Sequence, residues 1–217
     1  DACLLGFAAT GDGETVRAEF HGRPLDIALL QTGAHWGPNS LIVLLMLESL
    51  GVDLDTGLAA LARFAPLEGR GVERRIDAGK GAFVLIDESY NANPLSMRAV
   101  ISSLGARAGQ GRRIVALTDM LELGDDAPAM HAGLAEPLVA AGVDLVFCAG
   151  PLMKSLWDAL PAVMRGGYAA DAPALAHLVT DAVGPGDIVM VKGSNGSKAG
   201  VVAAALKALG AQPGGAG

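Results

Sequence analysis

The sequence predicts an α/β fold: a mostly parallel sheet with helices on both faces, preceded by a shorter stretch of strands and helices. Three observations lead there. From Gly81 onward, apolar strand patterns alternate with helical patterns about 10–15 residues long, the signature of repeated crossover units. The strands, such as VLID and IVMVK, are near-continuous apolar runs, as strands covered on both faces must be. Hydrophobic residues make up 51% of the chain but aromatics only 4%, so the core is aliphatic and alanine-rich, with 30 glycines and 11 prolines scattered as turn signals.

The 217 residues allow one or two domains at roughly 100–200 residues each. TVRAEF alternates as a strand between the turn signals GDGE and HGRP, and LDIALL follows. Residues 37–50 fit a buried helix opened by Pro38. Residues 53–64 fit a second helix, with Leu54, Leu58, Leu61 and Ala62 on one face. We expect residues 1–65 to be the tail of a larger domain, 66–71 a linker rich in glycine, and 72–217 a domain of its own. In that domain, 81–87, 112–120, 143–150, 167–169 and 186–193 read as strands. The helices are 94–104, 126–141, 151–160, 172–183 and 197–209.

A net charge of −7 and a pI near 5 disfavour nonspecific contact with nucleic acid or an anionic membrane. The longest apolar run, Leu41–Leu47, is far short of the ~20 residues that span a bilayer. No signal peptide is visible, and cytoplasmic location is expected. Cys3 and Cys148 are read as buried thiols in a reducing compartment. The chain starts at Asp1 without a methionine, which suggests a fragment.

Ligands of such sheets collect beyond the C-terminal ends of the strands. At the first, VLIDESYNANPLSM turns abruptly polar. Asn93 and Pro94 are accounted for as the cap and first residue of a helix. Capping leaves Glu88, Tyr90 and Asn91 unexplained; they can meet the sugar or base of a nucleotide, or simply form a solvated loop. At another, VKGSNGSKAG runs from strand to helix, with Lys192 and Lys198 near free helical N–H groups that favour an anion. Only two residues separate Gly193 from Gly196, so this is no phosphate-binding P-loop. Asp119, Glu122 and His131 in TDMLELGDDAPAMH are further candidates, although charge before a helix and a lone helical histidine are commonly structural. His35 and Asn39 in GAHWGPNSL complete the set, where capping alone would explain an asparagine. No G-x-G-x-x-G, H-E-x-x-H, C-x-x-C or G-x-S-x-G motif occurs, and no metal site is expected within the chain.

These segments resemble the Mur ligase family, and within it the ligases that join D-alanyl-D-alanine to UDP-N-acetylmuramoyl-tripeptide. DESYNANPLSM is similar to the family's D-S-Y-N-A-N-P-x-S-M, DMLELG to G-D-M-x-E-L-G, and VKGS to V-K-G-S. GAHWGPNSL resembles H-N-x-x-N, and LEGR the G-R before the last domain. The five matches occur in family order across residues 33 to 209. The resemblance implies a Rossmann-like last domain at 72–217, preceded by the end of the central ATP-binding domain at 1–65 without its P-loop. It implies ATP as co-substrate, Mg2+ in the full-length enzyme, and an acyl phosphate that the D-alanyl-D-alanine amine attacks during peptidoglycan synthesis. By position it assigns ATP contacts to Asn39, Arg70, Glu88, Tyr90, Asn91 and Asn93, and amine-substrate contacts to Lys192 and Ser194.

Three residues depart from the pattern: Trp36 for the first asparagine of H-N-x-x-N, Glu88 for aspartate, and Thr118 for glycine before D-M. Because phosphoryl transfer depends on a phosphate cradle and metal, the 217 residues alone are expected to be inactive without the remaining domains. The alternatives are an amide ligase of the folylpolyglutamate-synthase type and a nonenzymatic nucleotide- or peptide-binding module.

Overall fold

The structure is a computed structural model and describes residues 1–10, 13–30, 36–65, 67–79, 81–107 and 111–211. Two compact units, Asp1–Leu67 and Glu68–Gly217, are described in turn.

In the first unit, β1 (Ala2–Thr10), β2 (Gly13–Phe20) and β3 (Arg23–Leu29) form an antiparallel sheet in that order. The β2–β3 hairpin turns on His21 and Gly22, whose φ of 50° and 76° fit the two-residue loop that strand twist favours. Helices α1 (Trp36–Ser49) and α2 (Leu54–Leu61) follow, and Asp53 caps α2 by accepting from the Thr56 N–H. Val16, Phe20, Ile27 and Leu29 pack with Leu41 and Leu44 of α1. The helix expected to be buried is buried on one face only. Within it Gly37, Ser40, Leu41 and Leu44 are covered, while Ile42 and Met46 are 55% and 61% exposed. Its apolar residues run around the whole circumference, so periodicity could not assign a free side. Cys3 is exposed, contrary to the expectation of two buried thiols, and Cys148 is buried.

The second unit contains β4 (Val72–Asp77), β5 (Ala82–Glu88), α3 (Pro94–Gly105), β6 (Arg113–Thr118), α4 (Ala127–Ala132), α5 (Ala135–Ala140), β7 (Leu145–Ala149), α6 (Met153–Ala159), β8 (Arg165–Ala169), α7 (Ala172–Ala182), β9 (Ile188–Lys192) and α8 (Ala199–Ala208). The sheet order is β4-β5-β9-β6-β7-β8, parallel except for β4, which pairs antiparallel to β5. Strand β4, VERRID, was not anticipated: it is an edge strand with mostly charged, exposed side chains, and only Ile76 turns into the core.

Side chains alternate between two cores, as the period of two requires. Ile86, Val115, Leu117, Val146 and Met190 face Met97, Ile101, Leu138 and Leu156 of the α3–α6 layer. Phe83, Leu85, Ile114, Ala116 and Val189 face Leu175, Val179, Val202 and Leu206 of α7 and α8.

The single helix expected over 126–141 is two, broken at Gly133 and Leu134. Pro137 has no N–H to donate to the Gly133 carbonyl, and the Leu134 N–H instead bonds the His131 carbonyl three residues back.

This wiring makes a switch point. The chain leaves β5 and β6 toward the α3–α6 layer but leaves β9, which lies between them, toward α8 on the opposite face. Diverging connections open a crevice beyond the C-terminal ends of these strands.

Candidate functional site

The polar residues at issue meet at the C-terminal ends of β5 and β9. Asp87 and Glu88 end β5 and point to opposite faces. Asp87 is 3% exposed and accepts from the Ser89 N–H and hydroxyl and from the Lys207 ammonium at 2.7 Å. It is a structural acid, which explains one of the two carboxylates. Glu88 stands opposite Lys192 of β9 in the parallel register. The Lys192 ammonium lies 3.4 Å from Glu88 Oε2 and donates to the Asn91 carbonyl at 2.9 Å. Lys192 is only 2% exposed. Burial pulls its pKa below the ordinary lysine value; Glu88 opposes that shift and the Arg70 charge adds to it.

Arg70 reaches the same place from the segment before β4. Its guanidinium stacks 4.0 Å above the ring of Tyr90, which is 48% exposed. The backbone joins them as well: the Tyr90 N–H donates to the Gly69 carbonyl at 3.0 Å, and the Gly71 N–H to the Asp87 carbonyl at 2.8 Å. Gly69 and Gly71 have φ of +74° and +82°, and a Cβ on Gly69 would lie 2.9 Å from Tyr90 N. Glycine at both positions lets Arg70 lie flat on the polar loop. Asn93 caps α3 in a reciprocal box with Ser96, as its place before Pro94 predicts. Asn91 uses its side-chain oxygen on the Ala92 N–H.

Ser194 ties three strand ends together. Its hydroxyl accepts from the Leu121 N–H at 3.0 Å and lies 3.4 Å from the Ala92 carbonyl, while its own N–H donates to the Asp119 carbonyl. Thr118, unusual beside the resemblance, fits because Gly193 lacks a side chain: a Cβ there would lie 1.8 Å from Thr118 Oγ1. The Thr118 hydroxyl instead meets Ser197 Oγ at 2.7 Å.

His131 is fully buried, with Nε2 accepting from the Met120 N–H and Nδ1 donating to the Ala127 carbonyl. These partners fix the neutral tautomer and make it a support for the Asp119–Glu122 loop. Glu122 is exposed with φ of +63°. Asp119 is 5% exposed, accepts from the Met153 N–H, and faces a cleft of about 270 Å³ lined also by Gly150, Asp171, Ser197 and Lys198.

With this geometry in hand, residues 74–195 match the family described as "Mur ligase, glutamate ligase domain". The chain belongs to the Mur ligase family. A UDP-N-acetylmuramoyl-tripeptide–D-alanyl-D-alanine ligase of Rickettsia prowazekii is 28% identical over 188 residues, covering 86% of this chain and 41% of that protein. A ligase of the same name from Synechocystis is 31% identical over 202 residues, covering 92% and 42%. A crystal structure of MurF ligase from Thermotoga maritima in complex with ADP superposes with a TM-score of 0.79 at 20% identity, over 96% of this chain and 46% of that one. The chain thus spans less than half the length of these Mur ligases.

Not every residue singled out by the Mur resemblance lies in this cluster. Asn39 belongs to the first unit, exposed in the first turn of α1. That helix begins at Trp36, so Asn39 is inside it and the capping explanation fails. His35 lies outside the described residues. Among the described residues, no group of three or more His, Cys, Asp or Glu could hold a metal ion. Nor is any helix among them long and apolar enough to cross a membrane. Sequence reasoning assigned no role to Asp87, Glu68 or Lys207, which the fold brings together from three distant segments.

Proposed function

We propose that this chain is the C-terminal part of an ATP-dependent ligase that joins D-alanyl-D-alanine to UDP-N-acetylmuramoyl-tripeptide in peptidoglycan precursor synthesis. The supporting observation is the convergence of Arg70, Tyr90, Glu88 and Lys192 at the switch point, in a Mur ligase unit whose named relatives carry that activity. The Glu88 carboxylate, oriented by the Lys192 ammonium, accepts hydrogen bonds from ribose hydroxyls. Arg70, held flat on Tyr90, offers guanidinium N–H groups to phosphate oxygens. Tyr90, half exposed, shields that contact from water.

In the complete protein the tripeptide carboxylate attacks the γ-phosphorus of ATP, giving an acyl phosphate and ADP. The free amine of D-alanyl-D-alanine then attacks the acyl carbon, the amide bond forms, and phosphate leaves as the amine gives up a proton. The cleft beside Asp119 is lined by that carboxylate and by Lys198 at the start of α8. Opposite charges lining one cleft suit a zwitterion with an ammonium at one end and a carboxylate at the other. Lys192 and Ser194 act from beneath this surface: their side chains hold Asn91, Glu88 and Leu121 in place. The domain reading follows suit, with residues 1–65 as the end of the ATP-binding domain and 72–217 as the last ligase domain.

The test is a ligase assay on the complete polypeptide: ADP release should require both the tripeptide substrate and D-alanyl-D-alanine. Release with L-glutamate and a folate in their place would overturn the substrate assignment. The 217-residue chain alone should turn over neither.

A further inference from the structure

The segment carrying Arg70 is fastened at a point distant in sequence. Lys207, in the last turn of α8, donates to Asp87 Oδ2 at 2.7 Å and to Glu68 Oε2 at 2.6 Å. Glu68 also pairs with Arg74 of β4. One ammonium therefore joins the buried end of β5 to the residue two before Arg70. Beyond Glu68 the segment continues through the Gly69–Tyr90 and Gly71–Asp87 backbone bonds. Burial works against the Lys207 charge, but the bonds to Asp87 and Glu68 outweigh it and hold its pKa above the ordinary lysine value. Two glycines flank Arg70, the most permissive backbone available, so its placement over the exposed ring depends on the two backbone bonds and on the ion pairs of Glu68.

We propose that Lys207, acting through Glu68, is a positioning residue that clamps segment 68–71 to β5 and α8 and holds Arg70 over Tyr90 for a nucleotide phosphate. The phosphate part rests on the nucleotide reading above; the clamp does not. Neither Lys207 nor Glu68 need touch the ligand.

Amide exchange by NMR on the 217-residue chain tests the clamp without ligand. In Lys207→Met, exchange of the Tyr90 and Gly71 amides should quicken roughly tenfold while the central Val115 and Leu117 amides hold, the pattern of a local opening. Lys207→Arg should restore protection. Glu68→Ala leaves the Asp87 partnership intact and should quicken the Tyr90 amide in the same way, which covers the case in which Lys207→Met fails to fold. Unchanged Tyr90 exchange in Glu68→Ala would overturn the clamp.

ADP titration of the complete polypeptide supplies the second arm. Lys207→Met should weaken ADP about three- to tenfold in the wild-type background and have no further effect in Arg70→Met, since coupled residues are non-additive. An equal loss in both backgrounds would show that Lys207 does not act through Arg70. Failure of the complete wild-type polypeptide to bind ADP would refute the nucleotide reading, and the exchange arm would still decide the clamp.

Discussion

Glu88 and Lys192 face each other across adjacent parallel strands, with the ammonium 3.4 Å from the carboxylate and 2.9 Å from the Asn91 carbonyl. The pairing joins two segments 104 residues apart in sequence and makes one site of two motifs that look independent along the chain. A lysine 2% exposed must be paired to remain charged, and the pairing in turn orients the carboxylate.

Lys192→Met should therefore cost about 3 kcal/mol of stability, the low end for breaking a buried pair because Glu88 keeps some solvent contact. Urea denaturation measures it as a lower midpoint at unchanged slope. Glu88→Gln keeps the shape and should cost less.

The same lysine predicts a pH dependence. Its folded pKa is depressed below the ordinary 10.5, chiefly by burial. Between the two values the unfolded chain binds a proton that the folded chain does not, so this contribution to stability rises with pH. Wild type should gain stability relative to Lys192→Met as pH increases toward 10.5; a declining difference would contradict the burial of the ammonium.

Gly193→Ala should be severely destabilising, because the added methyl would lie 1.8 Å from Thr118 Oγ1. Overpacking of this kind costs about 1–3 kcal/mol. The double variant Thr118→Gly, Gly193→Ala should recover much of the loss, since it removes the clash from the other side. Thermal denaturation of the three proteins checks this.

Ser194→Ala removes the acceptor for the Leu121 N–H. An orphaned donor at a partly buried site costs about 1–3 kcal/mol. Faster amide exchange should be confined to Leu121 and its neighbours.

Much of the fold was legible because its signals are local. Asn93, Pro94 and the Met97–Ile101–Leu104 face mark α3 unaided, and the apolar runs around Ile86, Val115 and Met190 mark central strands. What escaped has a nonlocal cause. Strand β4 is held by pairing to β5, and its VERRID sequence carries no burial pattern beyond Ile76. The break at Gly133 was visible in principle through Pro137, but the apolar pattern on either side runs through it. In the site, the proximity of strand ends pointed to Glu88, Tyr90 and Asn91. It could not show that Lys192 turns toward Glu88 rather than outward, nor that Asp87 is occupied by Lys207, because both depend on strand order.

Arg70 over Tyr90 adds about 0.5–1 kcal/mol at an exposed site, enough to orient the guanidinium but not to bind a nucleotide alone. The most direct measurement is therefore titration of ADP into the complete, isotopically labelled polypeptide, followed at individual amides. The account predicts saturable shifts at Gly71, Glu88, Tyr90 and Asn91, abolished in Arg70→Met. No saturable shift at those amides, or shifts only at remote surfaces, would contradict it.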